Sequence, residues 1–197
     1  MGRRAKLHSV ALATWAALVG AGFFFLLKYE VTPGRAAAAD ASWPAGVSEM
    51  LPRDGKPVLI MAAHPECPCS RASVAELAEL AARFPGKFSC YVLFEPAGSI
   101  TPEGCRASAL WKSAAAITGV TPLVDEKKLA VRAFHARTSG QVFLYDARGR
   151  MQFSGGITSG RDHVGPSDGT DAINAFFTSG RALPASTPVY GCALESP

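Results

Sequence analysis

Residues 9–27 (SVALATWAALVGAGFFFLL) contain no charged side chain and offer no polar face. A helix that is apolar on every side cannot sit half-wet on a soluble domain, so this run belongs in a bilayer. At about 1.5 Å per residue it just spans the hydrocarbon layer. Arg3, Arg4 and Lys6 precede it, and Lys28 and Glu30 follow. Positive charge ahead of a span stays on the cytoplasmic side, so the rest of the chain is exported. Residues 1–8 therefore read as a cytoplasmic basic tail and 9–27 as a transmembrane anchor. The small-residue site nearest the run is Ala37-Ala38-Ala39, beyond Lys28, Glu30 and Arg35. Signal peptidase sites follow the apolar region closely, so the reading is an uncleaved anchor.

Residues 28–55 hold Pro33, Gly34, Pro44, Gly46, Pro52 and Gly55 and read as a linker, with Trp43 and Met50 as possible docking residues. Residues 56–180 form the domain, and 181–197 a C-terminal tail. Hydrophobic residues make up 48% of the chain and charged residues 18%, a balance that builds a core. The net charge of +4 comes with no basic stripe interleaved with aromatics, which argues against nucleic-acid binding.

The apolar run 58–63 (VLIMAA) has the length and continuity of a strand buried on both faces. His64-Pro65-Glu66-Cys67-Pro68-Cys69-Ser70 follows, then a helix over 71–84 with Val74, Leu77, Ala78, Ala81 and Phe84 on one face. Its cap is either Ser73, with Glu76, or Cys69 or Ser70. A strand at 88–94, a helix at 106–117, a short segment at 121–124 and a helical turn at 127–134 come next. Segments 141–145 and 151–154 form a hairpin around Asp146-Ala147-Arg148-Gly149. A glycine-rich loop at 155–169 leads to a last helix over 170–178. The expected architecture is α/β, a mixed sheet flanked by helices.

Chemistry concentrates on Cys67 and Cys69, at the junction of a buried strand and a helix. The first turn of a helix has unpaired N–H groups and partial positive charge, which favour thiolate over thiol. His64, if protonated, adds to this. Only Pro68 separates the two cysteines, and it pushes Cys67 toward an extended conformation. A disulfide between them closes a small ring, so the pair reads as labile and functional. The bland alternative is that each pairs elsewhere, for example Cys69 with Cys192.

The strand 58–63, the cysteine motif at the head of a helix and the hairpin before the last helix resemble the thioredoxin-like superfamily over about residues 55–180. HPECPCSRAS, TSGQVFLYDARGRMQFSGGIT and PVYGC also resemble a bacterial, membrane-anchored RedB-like group. The resemblance implies that Cys67 attacks and Cys69 resolves, with His64 tuning the site. It implies no organic cofactor and a cysteine-containing exported or membrane protein as partner. It places the protein in a bacterial inner membrane, single-pass, with its domain in the periplasm. Two departures stand out. The spacing is Cys-x-Cys, not Cys-x-x-Cys. Where thioredoxins carry a cis-proline facing the cysteines, this chain has Thr138-Ser139-Gly140.

That second departure opens an alternative. His64, Cys67 and Cys69, with His163 or Cys192, are soft ligands suited to copper or zinc. Copper-handling relatives of thioredoxin use two cysteines and a distant histidine. A further alternative is a non-catalytic interaction domain. His163 also reads as a solvated loop residue, and Arg161 and Asp162 as loop structure. Cys192 is a third redox thiol, a partner of Cys105 or a buried free thiol. Cys90 reads as inert core. The count of five cysteines leaves at least one without an intramolecular disulfide partner.

Overall fold

The six residues of β1 (Val58–Ala63) are all buried, and they alternate between two cores. Leu59, Met61 and Ala63 face one, and Val58, Ile60 and Ala62 face the other. A strand covered on both sides belongs in the middle of a sheet, and β1 holds that place. Its neighbours are β2 (Ser89–Phe94), in parallel, and β4 (Val142–Tyr145), antiparallel. β3 (Val120–Val124) and β5 (Met151–Gly155) complete the order β3-β2-β1-β4-β5. β3 carries Pro122, which an edge strand tolerates because one row of its backbone groups pairs with nothing in the sheet.

This computed structural model describes residues 2–36, 40–96 and 98–194. The Ala37-Ala38-Ala39 cleavage sequence therefore lies outside the described residues. The chain divides into two units, Met1–Thr32 and Pro33–Pro197. The first is α1 (Arg3–Val31), which outlasts the span 9–27 at both ends and is long and apolar enough to cross a membrane. Its large apolar side chains, Trp15 and Phe23 to Phe25 among them, are exposed.

In the second unit, α2 (Ser70–Arg83) lays Val74, Leu77 and Leu80 on the first core. Sinking side chains of this size contributes about 1.5–3 kcal/mol each. The helix expected over 106–117 is two, α3 (Pro102–Ala107) and α4 (Ala109–Ala115). Ser108 breaks it by leaving helical geometry and capping α4, its hydroxyl accepting the Trp111 N–H at 3.1 Å. α5 (Leu129–Ala133) packs against the second core, and α6 (Asp168–Ser179) opens on a capping box between Ser167 and Thr170.

Two stretches outside the sheet and the α-helices are firmly packed, the first with a short 3-10 turn at Ala45–Val47. Within the segment read as linker, Trp43 stacks edge-on against Phe134 and Tyr145, each at 5.3 Å, and Val47 and Leu51 are buried. Residues 40–53 thus cover the second core. The tail is held too. Ser154 donates its N–H to Ala185, Thr187 bonds Gly156, and Val189 is buried. The tail runs beside β5 and then crosses to the loop before β4.

Candidate functional site

β1 stops at Ala63, and the chain winds into α2 through successive turns. Cys67 donates its N–H to the His64 carbonyl at 3.1 Å, Ser70 to Cys67 at 3.3 Å, and Arg71 to Pro68 at 3.2 Å. Cys69 occupies the N-cap position, with helical backbone angles and no side-chain capping bond. Ser70, the first residue of α2, donates its amide to the Cys67 carbonyl and places its hydroxyl 2.6 Å from Ser139 Oγ, which sets the head of the helix beside the Cys67 sulfur.

The third thiol of the site comes from the tail. Cys192 Sγ lies 3.0 Å from Cys67 Sγ, and the Cys192 N–H donates to the same sulfur at 3.4 Å. Burial alone raises the pKa of Cys67, but the hydrogen bonds from Cys192 and Ser70 outweigh it and hold the thiol below its ordinary value. Cys192 moves the opposite way, pushed up by burial and by its contact with Cys67. The two shifts have opposite directions because the two sulfurs are in contact, which favours the thiolate at Cys67 over that at Cys192. Cys69 is raised by burial, with Arg161 opposing and Cys67 adding to the rise.

Two side chains hold this group together. Ser139 Oγ accepts the His64 N–H at 2.7 Å and shares a 2.6 Å hydrogen bond with Ser70 Oγ, while its own N–H donates to the Cys192 carbonyl at 2.8 Å. Arg161 donates to the Gly191 carbonyl at 2.7 Å, with the same nitrogen 4.0 Å from Cys69 Sγ. The loop Thr138-Ser139-Gly140 thus faces the cysteines. Gly140 sits at φ +89°, a conformation that favours glycine, and its N–H reaches the Ala62 carbonyl at 2.8 Å. Among the described residues the one cis peptide is Leu183–Pro184, outside this loop.

The remaining expected residues are placed differently. His64 lines the same loop, but its Nδ1 accepts the Glu66 N–H at 3.2 Å, which requires the lone pair on that nitrogen. His163 is exposed, with Nδ1 2.9 Å from the Arg161 carbonyl oxygen. Among the described residues, no group of three or more His, Cys, Asp or Glu side chains is arranged to hold a metal ion. Cys105 is buried on α3, and Cys90 is buried in β2 with its thiol pushed far up by desolvation alone. All five cysteines are free thiols in this structure. An open cleft lies beside the cysteine loop, lined by Pro65, Glu66, Ile100 and Thr101.

Ser70, Ser139 and Arg161 were not legible as site residues in the sequence. The available signal was positional. Ser70 is the first residue of the helix, and Ser139 stands where a thioredoxin-like chain carries its proline.

No protein-family model matches the chain, and no curated protein matches it. Solved structures do. The chain is similar to a hypothetical protein from Sinorhizobium meliloti 1021, with a TM-score of 0.62 at 21% identity, over 85% of this chain and 96% of that one. An uncharacterized conserved protein from Geobacillus kaustophilus gives a TM-score of 0.58 at 19% identity, over 85% and 93%. An exposed lipoprotein thioredoxin from Streptococcus pneumoniae gives 0.46 at 17%, over 61% and 82%.

Proposed function

Because this chain has the thioredoxin-like fold, we propose that it is a membrane-anchored, extracytoplasmic thiol–disulfide oxidoreductase whose reacting thiolate is Cys67. One observation carries the reading: Cys67 sits at the head of α2 with a second thiol, that of Cys192, 3.0 Å from its sulfur and the Cys192 N–H donating to it. A thiolate is the species that forms and breaks disulfides, and a second thiol in contact closes the cycle. Reduction of a partner disulfide takes two electrons from two thiols of this site and leaves a protein disulfide. The partner is a cysteine-bearing exported or membrane protein. α1, with Arg3, Arg4 and Lys6 at its head, supports a single span with the domain on the far side. Exchange of this kind requires no organic cofactor.

The test uses the full-length chain in detergent and a model peptide disulfide. Cys67→Ser abolishes exchange, whereas Cys90→Ala retains it. Undiminished exchange in Cys67→Ser would remove the basis of this reading.

A further inference from the structure

The C-terminal tail reaches the site through a single isolated β-bridge. Thr138 and Ala193 form an antiparallel bridge, framed by two hydrogen bonds: Ser139 N–H to the Cys192 carbonyl at 2.8 Å, and Leu194 N–H to the Arg137 carbonyl at 2.9 Å. Gly191 comes so close to this ledge that a Cβ there would clash with the Ser139 carbonyl oxygen. Arg161 pins the Gly191 carbonyl from the other side, and Gly34 donates to the Val189 carbonyl at 2.7 Å. Four separate hydrogen bonds thus place one cysteine, carried more than 120 residues away in sequence, against Cys67.

Exposure divides the pair. Cys67 is 2% exposed, while Cys192 is only partly buried. Cys192 is therefore the more accessible residue of the pair.

Resting on the oxidoreductase reading above, we propose that Cys67 and Cys192 form the redox-active disulfide, and that Cys192 is the sulfur that exchanges with partners. In one direction, the oxidised site meets a partner dithiol. A partner thiolate attacks Cys192 Sγ, the Cys67–Cys192 bond breaks, and Cys67 leaves as the thiolate. The partner's second thiolate then attacks its own sulfur in the mixed disulfide and releases Cys192, which takes up a proton. The partner is oxidised by two electrons, and the two site cysteines are reduced. In the other direction, Cys67 accepts the Cys192 proton as Cys192 attacks a partner disulfide, and the first partner sulfur, expelled as a thiolate, takes that proton from Cys67. Cys67, again a thiolate, then attacks Cys192 Sγ in the mixed disulfide; the partner's second sulfur leaves as a thiolate and is protonated from solvent, and the Cys67–Cys192 bond is regenerated. A low-pKa leaving thiol departs fast, which suits Cys67 to the inner position. Cys69, at the helix cap and near Arg161, stays outside the cycle.

The test is disulfide mapping on the full-length chain after oxidation with oxidised glutathione, acid quench and digestion without reductant. The expected product is a peptide joining Cys67 to Cys192, lost in Cys192→Ser and kept in Cys69→Ser. Glutathione added to the oxidised wild-type protein is captured at Cys192. A Cys67–Cys69 disulfide in the wild type overturns this proposal and leaves the oxidoreductase reading standing. Absence of any Cys67 disulfide overturns both.

Discussion

Ser139 donates its backbone N–H to the carbonyl of Cys192 at 2.8 Å, so the loop before β4 fixes how the C-terminal cysteine meets Cys67. The chain's own tail occupies this ledge. Whatever loosens the tail should change thiol chemistry more than it changes the fold.

Gly191→Ala is the sharpest way to loosen it, because the added Cβ meets the Ser139 carbonyl oxygen. The tail lifts, and the cost to global stability stays at about 1–3 kcal/mol, the usual range for overpacking. Hydrogen exchange then speeds up at the Ser139 and Leu194 amides, and alkylation of Cys192 accelerates. Unchanged exchange at both amides would show that the tail is not held in this way.

The pH dependence of alkylation reports on the hydrogen bonds to Cys67. Its midpoint should lie below the ordinary thiol value of 9.0. Ser70→Ala and Cys192→Ala each remove a donor to the sulfur, so each raises the midpoint. Cys192→Ser keeps a donor and raises it less. A midpoint that ignores both alanine substitutions would mean that neither group stabilises the thiolate.

Stability should fall in alkali. Cys69, Cys90 and Cys192 are raised from 9.0 in the folded state, and Tyr145 from 10.0 to about 12. A group raised on folding adds stability below its unfolded pKa and loses that contribution as pH climbs toward the folded value. Cys67, lowered on folding, works in the opposite sense: its contribution is present above the unfolded thiol value and is lost as pH falls through the folded one. With Cys105 and Tyr91 also raised, four thiols and two tyrosines outnumber it, so the urea midpoint drops between pH 9 and pH 12. A flat midpoint across that window contradicts the burial of these groups.

Trp43 anchors the segment before β1 between Phe134 and Tyr145, with Arg53 5.5 Å above its ring. Trp43→Ala should cost about 3 kcal/mol, the low end for a large aromatic because the side chain is only partly buried. Urea denaturation followed by circular dichroism measures this, and a loss below about 0.5 kcal/mol would place the segment outside the folded unit.

The sheet was legible because its strands are short runs of one kind. VLIMAA has no other comfortable place than the middle of a sheet, and the Asp146 to Gly149 turn marks the hairpin. The break at Ser108 was not legible, since helical periodicity on either side hides a cap. The half-site Cys67-Pro68-Cys69 could be read from local position at the head of a helix. The contact of Cys67 with Cys192 could not, because it depends on a tail whose path is set by long-range hydrogen bonds: the Thr187 hydroxyl to the Gly156 carbonyl, the Arg161 side chain to the Gly191 carbonyl and the Ser139 N–H to the Cys192 carbonyl. Backbone pairing between distant irregular segments leaves no periodicity in side-chain type.

The most direct test of the central claim is a redox titration of the full-length protein in glutathione buffers, with acid quench and mass-spectrometric readout of the Cys67 peptide. The account predicts that Cys67 passes reversibly from thiol to disulfide as the buffer is made more oxidising, and back again. A Cys67 that remains a thiol throughout the series would contradict it.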